Sequence, residues 1–353
     1  MPDHKLSRAV LIQFLIIGAV VILYFGRTFL LPVAFGGLFA MLFTPLSLKM
    51  IKVGIPQWGA ILICLLILLL SFALLAGAVT YQINEFVKDW ATIQQELEKG
   101  RQGVEDYLVN QLGIITKEQI EEIRNDISQE MSNFQSWMGD FFGSFLSGLT
   151  GSFLVLAYMV FFMLARKRIT AFILKFYAEE NREAGEDMAY SLRQVASQYF
   201  IGRLILILIL AVFYAIGFLI FGLQYAIPIA LFAAAMSIIP YIGNIIGGLI
   251  AIIMALVTAG GLPVVLGVLG TMSIAQVIEN NILEPWVVGS KVSLNPLFTI
   301  LVLIGFSIIW GIAGTILAIP LGGILKLIFD RTEELKPIGF VMGIDGFDKN
   351  IED

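Results

Sequence analysis

Between residues 204 and 278 the chain holds no Asp, Glu, Lys, Arg or His, and this run of 75 residues closes on Glu279, Asn280, Asn281 and Glu284. An α-helix needs roughly 20 apolar residues to cross the ~30 Å hydrocarbon core of a bilayer. The run therefore reads as several apolar segments joined by uncharged turns. Composition agrees, because 58% of residues are hydrophobic and only 14% charged, where soluble domains carry about a quarter. Mean hydropathy is +0.90. The spacing does not match the ~10-residue alternating strands of an outer-membrane barrel. The expected fold is an all-α polytopic membrane protein.

Apolar runs fall at 9–26, 28–48, 58–80, 141–165, 201–222, 226–258, 262–283 and 297–329. Lys5 and Arg8, Lys49 and Lys52, Arg166 to Arg168, and Lys326 with Arg331 share one side if each run crosses once, which gives about eight crossings. The positive-inside rule makes that side cytoplasmic and puts both termini there; Arg27 and Lys291 are the exceptions. No A-x-A-like cleavage site follows the first run, so it reads as an uncleaved span. The resulting organisation is three N-terminal spans (1–80), an extracytoplasmic helical insert (81–140), a fourth span (141–165), a cytoplasmic linker (166–200), a C-terminal transport unit (201–330) and a cytoplasmic tail (331–353).

Two runs are too long for single straight helices. At about 1.5 Å per residue, 226–258 and 297–329 would each reach ~50 Å. Break points are available at Pro240 and Gly243 in the first run, and at Gly311, Gly314 and Pro320 in the second. Proline removes a backbone donor and glycine lets the chain leave helical geometry. Broken or re-entrant helices are expected, with their open backbone buried in protein or lining a wet cavity.

In the insert, Ile83, Phe86, Trp90, Ile93 and Leu97 form one apolar stripe, and Ile120, Ile123, Ile127, Met131, Phe134 and Met138 another. Both suit packing within the chain or assembly of subunits. The linker is expected to be a solvated helix. The tail beyond Arg331 shows little apolar periodicity and is expected to be loosely ordered.

Only two acids, Glu279 and Glu284, lie between Met188 and Phe329. A carboxylate at bilayer depth costs on the order of 2–4 kcal/mol and commonly marks an ion or solute route. Helical spacing puts Gln276, Glu279 and Asn280 on one face, with Glu284 four residues beyond until Pro285 ends the turn. Two readings fit: a polar site for a hydrogen-bonding solute or coupling ion, with Asn281 beside it, or a helix terminus reaching water. Asn244 could add polar groups to such a site. Tyr241 suits either a ligand contact or the interface, and Arg203 either pairs with a glutamate or snorkels to the headgroups. Gly243, Gly247, Ala251 and Ala255 form a small-residue ridge for close helix packing.

An ordered set of motifs resembles the autoinducer-2 exporter family, also called PerM-like permeases. The set is Pro240-Tyr241-Ile242-Gly243, then Gln276 to Pro285 as Q-x-x-E-x-x-x-x-E-P with Gly289, then Asn295-Pro296, then Gly311-Ile312-Ala313-Gly314 and Ala318-Ile319-Pro320. Pro32 and Pro45 fit the family's N-terminal pattern. The similarity covers nearly the whole chain up to about Arg331. It implies eight crossings, a bacterial inner-membrane location, a homo-oligomer (a pentamer), and export of a small polar signalling solute by a mobile unit. Some relatives behave as sodium–proton antiporters. The family often has Pro where Asn244 stands and Gly where Asn280 stands, so both departures add polarity around the suspected site.

The leading expectation is a secondary transporter working by alternating access, its partners being the lipid bilayer, a small polar solute and a proton or sodium ion. A sodium- or lithium-proton antiporter using Glu279 and Glu284 is the alternative, and a structural membrane scaffold a further one. An intramembrane enzyme is disfavoured: His4, the lone histidine, precedes the first span, and no P-loop, HExxH or GxSxG occurs. Nothing resembles a carbonyl selectivity filter. No metal or other cofactor, and no nucleic-acid partner, is expected.

Overall fold

The computed structural model describes residues 4–74, 153–240, 242–257, 261–288 and 294–344, with a few isolated positions between 76 and 148. The apolar stripes of the insert and Tyr241 lie outside the described residues. The described residues are helical throughout, apart from turns and one isolated antiparallel bridge between Leu294 and Gly343. The elements are α1 (His4–Phe25), α2 (Arg27–Lys52), α3 (Gln57–Leu74), α4 (Phe153–Leu174), α5 (Arg182–Ile220), α6 (Ala226–Met236), α7 (Ile242–Val257), α8 (Gly261–Ile278), a π-helical segment (Glu279–Val288), α9 (Pro296–Arg331) and α10 (Lys336–Met342). Five of these stretches are long and apolar enough to cross a membrane: α2, α3, α5, α8 continued through its π segment, and α9. The chain is an all-α, multi-pass membrane protein.

Contacts group the chain into two units. The first comprises Met1–Ile67, Ser152–Leu206 and Ile282–Asp353. In it α2 packs on α4, and α9 packs on α1, α2 and α10. Gly36 permits the close approach of α2 to α4, since a Cβ there would stand 2.6 Å from Tyr158 Cβ and 2.9 Å from the Val155 carbonyl. Leu38, Ala196, Tyr199, Phe200, Trp310, Leu317 and Met342 are buried together as its core. The Trp310 indole donates to the Leu23 carbonyl at 2.9 Å, a group in the last turn of α1, where carbonyls lack intrahelical partners.

The long run 297–329 does break, and it breaks at Gly311. That residue alone within α9 is non-helical, with φ 62° and ψ −143°. Val302 and Gly322 would be about 30 Å apart on a straight helix, yet a Cβ on Gly322 would lie 3.0 Å from the Val302 side chain. The arms 296–310 and 312–331 therefore form a hairpin. Gly314 and Pro320 stand in helical conformation beyond the break. Gly314 serves close approach instead, because a Cβ on it would collide with the Phe306 carbonyl.

The second unit comprises Leu68–Gly151 and Ile207–Asn281. Here the run 226–258 splits into α6 and α7, separated by a turn that includes Pro240 and packed against each other. A Cβ on Gly247 would lie 2.7 Å from Ala233 Cα, and one on Gly243 would overlap the Met236 carbonyl. Gly243 is helical; the break precedes it. At 11 and 16 residues, α6 and α7 reach about 16 and 24 Å, each short of the ~30 Å core. The end of α5 packs on α8, where Gly217 meets Thr271 and Gly267 meets Phe221. Tyr214 and Phe218 stack within this unit, centroids 5.8 Å apart.

Two expectations need correction. The linker is not a solvated helix throughout: α4 runs on to Leu174, and α5 starts at Arg182 and continues without interruption to Ile220. Met188, Ala189, Val195 and Ala196 on it are buried, so an apolar stripe sits within a segment whose charges dominate its composition. The tail is not loosely ordered over residues 331–344, because α10 follows and packs on α9. Asn295 explains why. Its Oδ1 accepts from Phe298 N at 2.9 Å as the N-cap of α9, and its Nδ2 donates to the carbonyls of Val341 at 2.6 Å and Gly343 at 3.3 Å.

Candidate functional site

Four polar side chains meet in the second unit, at the start of α7 and the end of α8. Asn244 stands in the first turn of α7, and Gln276 in the last turn of α8. Asn244 Nδ2 donates to Gln276 Oε1 at 2.7 Å and more weakly to Glu279 Oε2 at 3.5 Å. Gln276 Nε2 donates to Asn280 Oδ1 at 2.9 Å and to Glu279 Oε2 at 3.4 Å. Glu279 is only 3% exposed. Both amides turn their nitrogens toward Oε2, which accepts from each, and this gives the network its direction.

Local structure explains why a carboxylate is tolerated here. The first turn of a helix carries orphan N–H groups and the positive end of the macrodipole, which favours a nearby negative group by about 0.3–1 kcal/mol, more when partly buried. Asn244 brings Glu279 to that end of α7. The tight α6–α7 turn makes this possible: Gly243 N donates to Ile239 O at 2.9 Å, and only a residue without Cβ fits against Met236.

Glu279 also begins the π-helical segment. Bonds from i to i+5 are rare and concentrate at functional sites. The wider winding corrects the expectation that Pro285 ends the turn, because Pro285 lies inside the segment, which runs on to Val288. Glu284, within the same segment, is exposed. Asn281 is exposed as well, its amide donating to the Val277 carbonyl at 2.8 Å.

Arg203 belongs to the first unit and is 8% exposed, so its side chain is held within protein and does not snorkel. In that unit Arg203 and Glu284 each lie within electrostatic reach of Tyr199. Of the residues singled out in the sequence, the structure brings together Asn244, Gln276, Glu279 and Asn280, with Pro240 and Gly243 shaping the turn beside them. Asn281 and Glu284 are exposed. Asn295 is the residue whose part sequence reasoning missed; the Asn-Pro pair before an apolar run is an N-cap signal, but its second partner lies 46 residues away.

A family model described as "AI-2E family transporter" matches residues 12–334. Curated relatives include "Putative transport protein YueF" of Bacillus subtilis (strain 168), 26% identical over 318 residues, covering 86% of this chain and 84% of the relative. "Putative transport protein YrrI" of the same organism is 34% identical over 146 residues, 41% of each chain. "Putative transport protein YhhT" of Escherichia coli (strain K12) is 24% identical over 305 residues, covering 86% of this chain and 85% of the relative.

Proposed function

As the chain belongs to the AI-2E transporter family, we propose that it is a secondary transporter that moves a small polar solute by alternating access, with the Asn244–Gln276–Glu279–Asn280 cluster as its binding site. The observation that carries this reading is the cluster itself: a buried carboxylate, held by two amides, at the junction of a half-length helix and a π-helical segment. Polar groups at such helix discontinuities suit solute binding at membrane depth. Glu279 binds the solute's polar groups or takes up a proton in the cycle, and the chain performs no covalent chemistry. A small signalling solute of the autoinducer-2 kind, carried outward, is the substrate we favour.

The two hairpins support a topology of six full crossings plus two segments that return to the side they entered. Such returns move Lys291 to the side of Lys49, Arg166 and Lys326, leaving Arg27 as the exception to the positive-inside rule. Both termini are then cytoplasmic in the bacterial inner membrane, and the protein assembles as a homo-oligomer, a pentamer in this reading.

The test is counterflow in proteoliposomes of purified protein, comparing a radiolabelled neutral furanone-type solute with sodium and protons. Saturable solute counterflow is the expected result. Absence of counterflow for every polar solute, with a folded protein, would overturn it.

A further inference from the structure

The donor and acceptor account of the cluster is lopsided. An Asn or Gln amide offers two N–H donors, and a carboxylate offers acceptors alone. Both donors of Asn244 are engaged within the cluster, with Gln276 Oε1 and Glu279 Oε2. So are both donors of Gln276, with Glu279 Oε2 and Asn280 Oδ1. Asn244 Oδ1 is buried and has no hydrogen-bond partner among the described residues. What Asn244 itself still presents to the site is an oxygen.

A buried acceptor left unmatched costs about 1–3 kcal/mol, so a native site keeps one only where something else supplies the donor. The amides cannot simply be flipped to relieve it. Reversing Asn244 would turn its oxygen toward Gln276 Oε1 and Glu279 Oε2, and reversing Gln276 as well would set Oε1 against the carboxylate.

We propose that Asn244 is the selectivity residue of this site: its Oδ1, beside Glu279, accepts a hydrogen bond from the solute, so that the site takes solutes bearing hydroxyl or ammonium donors and rejects anions of the same size. The inference rests on the transport reading above and adds to it the solute's charge and polarity. An anionic carboxylate or phosphate would set its own lone pairs against those of Oδ1 and leave that acceptor unmatched. A hydroxyl or ammonium solute completes the network without rearranging it. Asn244 does this only because the preceding turn puts it in the first turn of α7, within reach of the last turn of α8.

Size-matched pairs test this in proteoliposomes: D-ribose against D-ribonate, and ethanolamine against glycolate, each as competitor of counterflow, for the parent, Asn244→Leu and Asn244→Asp. The donor-bearing member of at least one pair should compete at least about tenfold better than its anion with the parent protein, the equivalent of one matched hydrogen bond to a charged group. Asn244→Leu should lose about tenfold for that member, while Asn244→Asp, which sets a second carboxyl group beside Glu279, should widen the preference for ethanolamine over glycolate. Melting temperature of each detergent-purified variant separates lost binding from lost fold, and Asn244→Asp carries the test if Asn244→Leu does not fold. Anions competing as well as donors, or Asn244→Leu behaving as the parent, would overturn the assignment of Asn244 and leave transport standing. Absence of any saturable flux by the parent would instead remove the transport reading and this inference with it.

Discussion

Asn244 Nδ2 and Gln276 Oε1 are 2.7 Å apart across 32 residues of sequence, and this contact ties the first turn of one apolar helix to the last turn of the next. Two neutral amides joined in this way hold their remaining donors toward a third group, Glu279. The hydrogen bond between helices is therefore also a device for orienting a carboxylate. In hydrocarbon such bonds contribute about 0.6 kcal/mol each on average, so the Asn244–Gln276 bond adds little to stability. Positioning is the better account.

Gln276→Leu should lower solute flux by about tenfold, because it removes both the acceptor for Asn244 and a donor to Glu279. Gln276→Glu should be worse, since it places a second carboxyl group 3–4 Å from the first. Initial rates in proteoliposomes at matched protein density would read this, with melting temperatures as the control.

Gly311→Ala should destabilise the protein by about 1–3 kcal/mol, because φ of 62° with ψ of −143° is open essentially to glycine alone. Space is not the obstacle there, as nothing lies within 4 Å of a Cβ. Gly243→Ala and Gly314→Ala fail for the opposite reason: their backbones are helical, but a methyl group meets a carbonyl oxygen. Thermal unfolding in detergent should show all three below the parent. A parent-like Gly311→Ala would contradict the hairpin.

Asn295→Ala should cost about 1–2 kcal/mol through the lost N-cap alone and should release α10. Asn295→Asp keeps the cap on Phe298 N but cannot donate to Val341 or Gly343. Limited proteolysis should therefore find the C-terminal segment more open in both variants, while melting temperature should fall much less for Asn295→Asp.

Much of this was legible in the sequence. Helix-breaking Pro240 and the glycine pair Gly311 and Gly314 located both discontinuities, because backbone chemistry is local. The i, i+3, i+4 spacing of Gln276, Glu279 and Asn280 placed them on one face for the same reason. Glu284 has the spacing yet is exposed, because spacing fixes a side chain's direction on its helix and not what packs over it. The Asn244–Gln276 contact was not deducible, because it depends on how sharply α6 turns into α7. The tail was misjudged because seven residues are too few to show periodicity, and a clamp from Asn295 orders them.

Sidedness offers an independent check on the topology. In a Cys64→Ala background, which has no other cysteine, Lys291→Cys should react with a membrane-impermeant maleimide only from the cytoplasmic side. Labelling from outside would mean that the chain between residues 262 and 329 crosses differently, with the run 226–258 spanning the bilayer.

The most direct measurement is solute counterflow by Glu279→Gln beside the parent, at equal protein density and with equal melting temperatures. The substitution keeps the shape and removes the charge, so the amides of Asn244 and Gln276 face a group that no longer fixes their direction. A loss of about tenfold or more is expected, with Glu279→Asp recovering part of it. Flux equal to the parent's would show that the buried carboxylate takes no part in transport and would contradict the central claim.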